Sequence, residues 1–130
     1  MIGRFSDEHV EIINAVGELR RSVAKGDVAA ARTAIDVLRQ LLDPHTLSEE
    51  RSLFAELRDD PEFTEHVDLL CAEHRDIDSA LDVAAGGDLS GVVDLENLLR
   101  RHIDKEENGL FPAAAIALDG PAWERVVDRA

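Results

Sequence analysis

Tyrosine is absent from this chain, cysteine occurs once, and aromatic residues make up 4% of its 130 positions. Without tyrosine, neither a tyrosyl radical nor a tyrosinate metal ligand is available. The single thiol, Cys71, rules out an internal disulfide, fits a reducing cytoplasmic setting, and reads as a small buried hydrophobe. No apolar run approaches the ~18 residues that a bilayer span requires. The first residues, MIGRFSDEHVEII, lack the basic start and continuous apolar stretch of a signal peptide. Basic residues are few: 14 Lys and Arg stand against 28 Asp and Glu, a formal charge of −14. Nucleic acid and anionic membrane surfaces are bound through clustered cations, so neither is expected as a partner. A chain of this length builds one core, and we expect one domain over residues 1–130.

What is abundant is helical periodicity, and no stretch alternates as a strand would. Ser6 is a candidate N-cap for a first helix whose apolar stripe is Phe5, Ile12, Val16, Leu19 and Val23, with Lys25-Gly26 as its stop. Asp27 caps a second helix carrying Ile35, Leu38, Leu42, Leu53 and Leu57, which Pro44 should kink or briefly break. Asp59-Asp60-Pro61 opens a third helix, through Val67, Leu70, Ile77 and Leu81 to Gly86-Gly87. A fourth, capped by Asp88 or Ser90, runs through Leu95, Leu99, Ile103 and Leu110, with Pro112 interrupting it near its end. Short connections between long amphipathic helices imply an all-α, up-down-up-down four-helix bundle over about residues 5–118. A short terminal helix over about 121–129 follows Asp119-Gly120-Pro121, with Trp123 anchoring it.

An internal repeat carries the chemistry. Residues 41–54 read LLDPHTLSEERSLF and residues 98–111 read LLRRHIDKEENGLF, an offset of 57. A weaker repeat pairs EHVEIINA (residues 8–15) with EHRDIDSA (residues 73–80), an offset of 65. Each half of the chain thus has a helix with one histidine followed by a helix with H-x-x-x-E. That spacing sets His45 and Glu49 one turn apart on one face, and likewise His102 and Glu106. In both helices it is the apolar face. His9 and His74 share the apolar stripes of their own helices. Six polar groups on inward stripes are costly to bury unless something satisfies them.

Depth agrees with face. Counted from the intervening turns near Gly26, Asp60 and Gly87, neighbouring histidines differ by one or two residues, roughly 3 Å at ~1.5 Å rise per residue. His9, His45, His74 and His102 therefore occupy one layer, with Glu49 and Glu106 a turn away. Four imidazoles and two carboxylates suffice for a dinuclear site, and mixed N/O ligation suits iron, manganese or zinc. The equivalent positions of Glu49 and Glu106 make them natural bridges.

The set His9, His45-x-x-x-Glu49, His74 and His102-x-x-x-Glu106, each histidine on its own helix, resembles the hemerythrin-like (HHE cation-binding) family over residues 5–118. The resemblance implies two iron ions in a non-haem, Fe–O–Fe type centre, with open coordination for O₂, peroxide or NO. The four histidines would be terminal ligands and the two glutamates bridges. Oxygen carriers of this family have H-x-x-x-H on the third helix, whereas the positions flanking His74 here are Leu70 and Asp78. Sensing, oxidative protection and iron handling therefore fit as well as oxygen carriage. Catalase-like peroxide disproportionation is the enzymatic alternative, and a zinc-bound or metal-free interaction module the third reading.

Neighbouring residues have expected roles too. Asp78 could fill the place of the absent imidazole or hold a water. Glu107 has the spacing of the carriers' last carboxylate, but the internal repeat favours Glu106; Glu50 and Glu107 point about 100° away from the ligand face, toward an outer role. Phe54 and Phe111, at matching repeat positions, should pack around the metal layer. His66 lies two turns from His74 and off its stripe, so it should sit outside the site.

Overall fold

The helical periodicity is realised along nearly the whole chain, and no strand forms, in the computed structural model, which describes residues 1–130. The elements are α1 (Ile2–Ala24), α2 (Val28–Arg51), α3 (Leu53–Arg58), α4 (Thr64–Ala85), α5 (Val92–Lys105), a π-helical stretch (Glu106–Leu110), α6 (Phe111–Ala117) and α7 (Gly120–Arg129). The four long helices form a ring in the order α1, α2, α4, α5, each packed on its neighbours and α5 closing back on α1. The tight turns after α1 and α4 place Gly26 at φ +71° and Gly87 at φ +109°, a region that L side chains avoid. The Asp27 carboxylate accepts the Ala30 N–H at 3.0 Å and caps α2. Asp119 caps α7 in the same way through the Ala122 N–H at 2.9 Å.

Several boundaries differ from the sequence expectation, each for a local reason. Helix α1 begins at Ile2, not after Ser6: Phe5 is fully buried and anchors an extra turn, and the Ser6 hydroxyl donates to Glu107 instead of capping. Pro44 does not break α2. It and Gln40, whose carbonyl loses its partner, are both exposed, so that carbonyl is open to solvent. The break comes at Ser52 (φ −111°, ψ −90°), whose hydroxyl donates back to the Ser48 carbonyl at 2.5 Å. In the second half, the helix runs past Pro112, and the irregularity is the π stretch before it. There the Phe111 N–H reaches the Glu106 carbonyl, five residues back. Ser52 and Gly109 are equivalent in the repeat, so both halves depart from α-helical bonding at the same place. Pro61 precedes α4 instead of starting it, because buried Phe63 occupies the turn. Helix α5 starts at Val92; Asp88 is engaged with Ser90 instead of capping it.

The apolar residues divide into two clusters. One, with Val16, Leu38, Leu81 and Leu99, fills the bundle toward the α1–α2 and α4–α5 turns. The other, with Phe5, Leu53, Phe54, Leu70, Phe111 and Val126, fills the end covered by α3 and α7; Trp123 packs against it, and Arg125 binds Glu56 of α3. All the layer histidines and both glutamates lie outside these clusters, between them. Leu81→Ala, within the first cluster, should cost about 2–5 kcal/mol in urea unfolding while leaving metal content per chain unchanged. Loss of metal along with stability would show that the polar layer depends on that cluster.

Candidate metal centre

Each long helix delivers one imidazole into the layer. His9, His45, His74 and His102 are all buried, and Glu49 and Glu106 have no exposed surface. Within α2, the one-turn spacing sets His45 Nε2 3.2 Å from Glu49 Oε1; within α5 and the π stretch, it sets His102 Nε2 2.6 Å from Glu106 Oε1. Glu49 is the shared group. Its Oε1 is 3.4 Å from His74 Nε2, and its Oε2 is 3.7 Å from His9 Nε2. Glu106 also approaches His9, at 3.8 Å. The result is two overlapping sets of atoms that could hold a metal ion: His74, His102, Glu49 and Glu106 in one, and His9, His45 and Glu49 in the other.

The Nδ1 side of every ring faces a different glutamate. His9 Nδ1 is 2.7 Å from Glu107, His45 Nδ1 is 2.8 Å from Glu8, His102 Nδ1 is 2.9 Å from Glu73, and His74 Nδ1 is 3.1 Å from Glu50. A carboxylate accepts and does not donate, so each Nδ1 carries a hydrogen, and each Nε2 of a neutral imidazole turns a lone pair inward. There the lone pairs meet carboxylate oxygens, which are acceptors as well. Seven of the eight buried side-chain nitrogen and oxygen atoms without a hydrogen-bond partner belong to His9, His45, His102, Glu49 and Glu106. Acceptors aimed at acceptors in a buried layer call for positive charge between them. Divalent ions fit this donor set.

Protons do part of that work in the metal-free chain. Burial and the neighbouring Glu49 charge push the Glu106 carboxyl well up. Burial also works against the Glu49 anion, but contact with Glu106 and with the imidazoles of His45, His74 and His9 outweighs it and holds Glu49 well below the usual range. Burial likewise opposes the His74 cation, yet Glu49 and Glu50 raise it to about 9. His45 is raised against burial by Glu49 and Glu8. His102 goes the other way, to about 4, through burial and then the His74 charge.

Aromatic rings wall the layer. Phe54 stacks on His74 with centroids 5.6 Å apart, and Phe111 on His9 at 5.7 Å; Phe5 meets His45 edge-on at 5.5 Å. On the remaining side, a cleft of about 270 Å³ reaches the histidines between α2 and α4, past Asp43, Thr46, Leu47, Arg75 and Asp78. Asp78 stays at this mouth, with 62% of its side chain exposed and its carboxylate 3.9 Å from Arg39, so it does not take the place of a fifth imidazole. His66 lies outside the layer, with its ring over Gly109 of the π stretch. Cys71 is buried beside Arg58, and burial followed by the Glu50 charge raises its thiol, as suits an inert side chain.

Glu50 and Glu107 have the outer roles that their helical angle suggests. Glu8 and Glu73 are the residues that the sequence reading missed. Their signal was the E-H pair opening both copies of the weaker repeat, at Glu8-His9 and Glu73-His74. A glutamate beside a histidine on one helix turns toward the next helix and meets that helix's imidazole.

The raised groups set the pH dependence of metal uptake. Ligands bind deprotonated, so a metal ion bound in this layer would displace protons from Glu106 and His74. Divalent-ion loading at pH 7 in weak buffer should therefore release protons. Affinity should climb with pH toward about 9, where His74 loses its own proton. A pH-indicator titration checks this, and uptake without acidification would contradict it.

Searches of curated proteins and of solved structures return no match. The Hemerythrin HHE cation binding domain profile matches residues 1–114, which include all four layer histidines and both inner glutamates. No helix is long and apolar enough to cross a membrane. A helical bundle, a buried histidine and glutamate layer and a profile match over most of the chain agree: this chain belongs to the hemerythrin HHE cation-binding domain family.

Proposed function

We propose that the chain is a non-haem di-iron protein that binds or reacts with O₂, peroxide or a related small oxidant such as NO, in sensing, oxidative protection or iron handling. His9 and His45 would hold one iron, His74 and His102 the other, with Glu49 and Glu106 between them. The observation that supports this most strongly is the set of unpartnered imidazole and carboxylate atoms in the layer, arranged in two sets that share Glu49. Iron supplies a change of oxidation state and open coordination positions. The chain's own residues set what reaches them. Phe5, Phe54 and Phe111 keep bulk water off three of the rings. The cleft between α2 and α4 admits a small molecule beside His74 and His102. Asp78, turned outward to Arg39, leaves the His74 side of the layer with one imidazole fewer than a carrier has, which favours chemistry or sensing over simple carriage. A cytoplasmic location and the absence of a nucleic-acid partner belong to the same reading, supported by the lone cysteine and the charge of −14.

Protein made in iron-replete cells should carry close to two irons per chain and absorb visible light. His45→Ala combined with His102→Ala should abolish both properties, and His66→Ala should preserve them. Sustained O₂ evolution from peroxide would identify the enzymatic alternative. A colourless protein that is equally stable without metal would refute the di-iron reading.

A further inference from the structure

The four outer glutamates are arranged as a closed circuit. Glu8 of α1 reaches His45 of α2, Glu50 of α2 reaches His74 of α4, Glu73 of α4 reaches His102 of α5, and Glu107 of the π stretch reaches His9 of α1. Every neighbouring pair in the ring of helices is thus joined by one carboxylate–imidazole link, and each helical segment gives one glutamate and one histidine. The repeat makes the circuit two-fold: Glu8–His45 corresponds to Glu73–His102, and Glu50–His74 to Glu107–His9. Three of the glutamates are themselves held. Arg4 binds Glu8 at 3.3 Å, the Ser6 hydroxyl donates to Glu107 at 2.8 Å, and Lys105 binds Glu73. Glu50 alone of the four lines the open cleft.

Two consequences follow from elementary chemistry. A carboxylate on Nδ1–H fixes the tautomer and the ring plane, so that Nε2 is the donor aimed inward, and it makes that nitrogen more basic. The ring also places negative charge around the layer. Two divalent ions bring four positive charges, of which Glu49 and Glu106 offset half. The outer four carboxylates, partly answered by Arg4, Lys105 and Arg75, work against the remainder.

We propose that Glu8, Glu50, Glu73 and Glu107 are a ring of positioning residues that orients all four imidazoles and helps neutralise a pair of divalent ions. The inference rests on the metal-binding reading of the layer and assigns this work to residues that would not themselves touch the metal. Zinc alone, being diamagnetic, is the probe. In zinc-loaded protein with ¹⁵N-labelled histidine, four slowly exchanging, downfield Nδ1–H resonances are expected, and this measurement needs no variant. Glu8→Gln, Glu50→Gln, Glu73→Gln and Glu107→Gln should each shift one of them, that of His45, His74, His102 and His9 respectively. Each should weaken zinc binding by about 10–100-fold, with helix content by circular dichroism retained. Glu65→Gln, at the exposed start of α4, should do neither. Zinc uptake with the Nδ1–H signals missing, or unmoved with unchanged affinity in all four variants, overturns the ring alone. Failure of the wild-type chain to take up zinc or iron overturns the metal reading and the ring with it.

Discussion

Everything in this bundle accommodates one electrostatic demand: four imidazole Nε2 atoms and two carboxylates face one another in a buried layer. An apolar filling at that level would have made a simpler core, and the unpartnered atoms carry a desolvation cost that packing alone does not return. The two apolar clusters above and below the layer supply the stability that lets the chain keep it. Without metal, the layer relieves itself with protons, on Glu106 and on His74 in particular. Metal ions would do so more completely, because one ion answers several acceptors at once.

Duplication explains how so many groups come to one level. A helix bearing E-H followed by a helix bearing H-x-x-x-E-E is used twice, and each half leaves α-helical bonding just after its glutamate pair, at Ser52 and over Glu106–Leu110. Those irregularities sit where the bundle turns from the histidine and glutamate layer to the aromatic cluster. They let Phe54 and Phe111 fold onto His74 and His9. Irregular helix at a site of polar convergence is a common association, and here its physical setting is visible.

The inner layer was legible in the sequence because its geometry is mostly set within single helices. One-turn spacing determines that His45 and Glu49 share a face, and rise per residue determines that four histidines share a depth. Phe54 and Phe111 were legible for the same reason, through the repeat. Contacts between helices were not. Whether Glu8 turns to solvent or to His45 depends on how α1 and α2 are rotated about their axes, which no spacing within one helix reveals. Asp78 looked available to the site by the same one-turn rule, but its position on α4 faces the mouth of the cleft and Arg39. The helix break was misplaced at Pro44 because proline's cost depends on whether the carbonyl it strands can reach water, and there it can.

The proposed occupant of this layer is a pair of iron ions. Anomalous diffraction at the iron edge, from crystals of protein purified out of iron-replete cells, tests it most directly. Two peaks are expected, one between His9, His45 and Glu49 and one among His74, His102, Glu49 and Glu106. A layer without an iron peak, with the imidazoles and carboxylates bonded only to one another through protons, would contradict it.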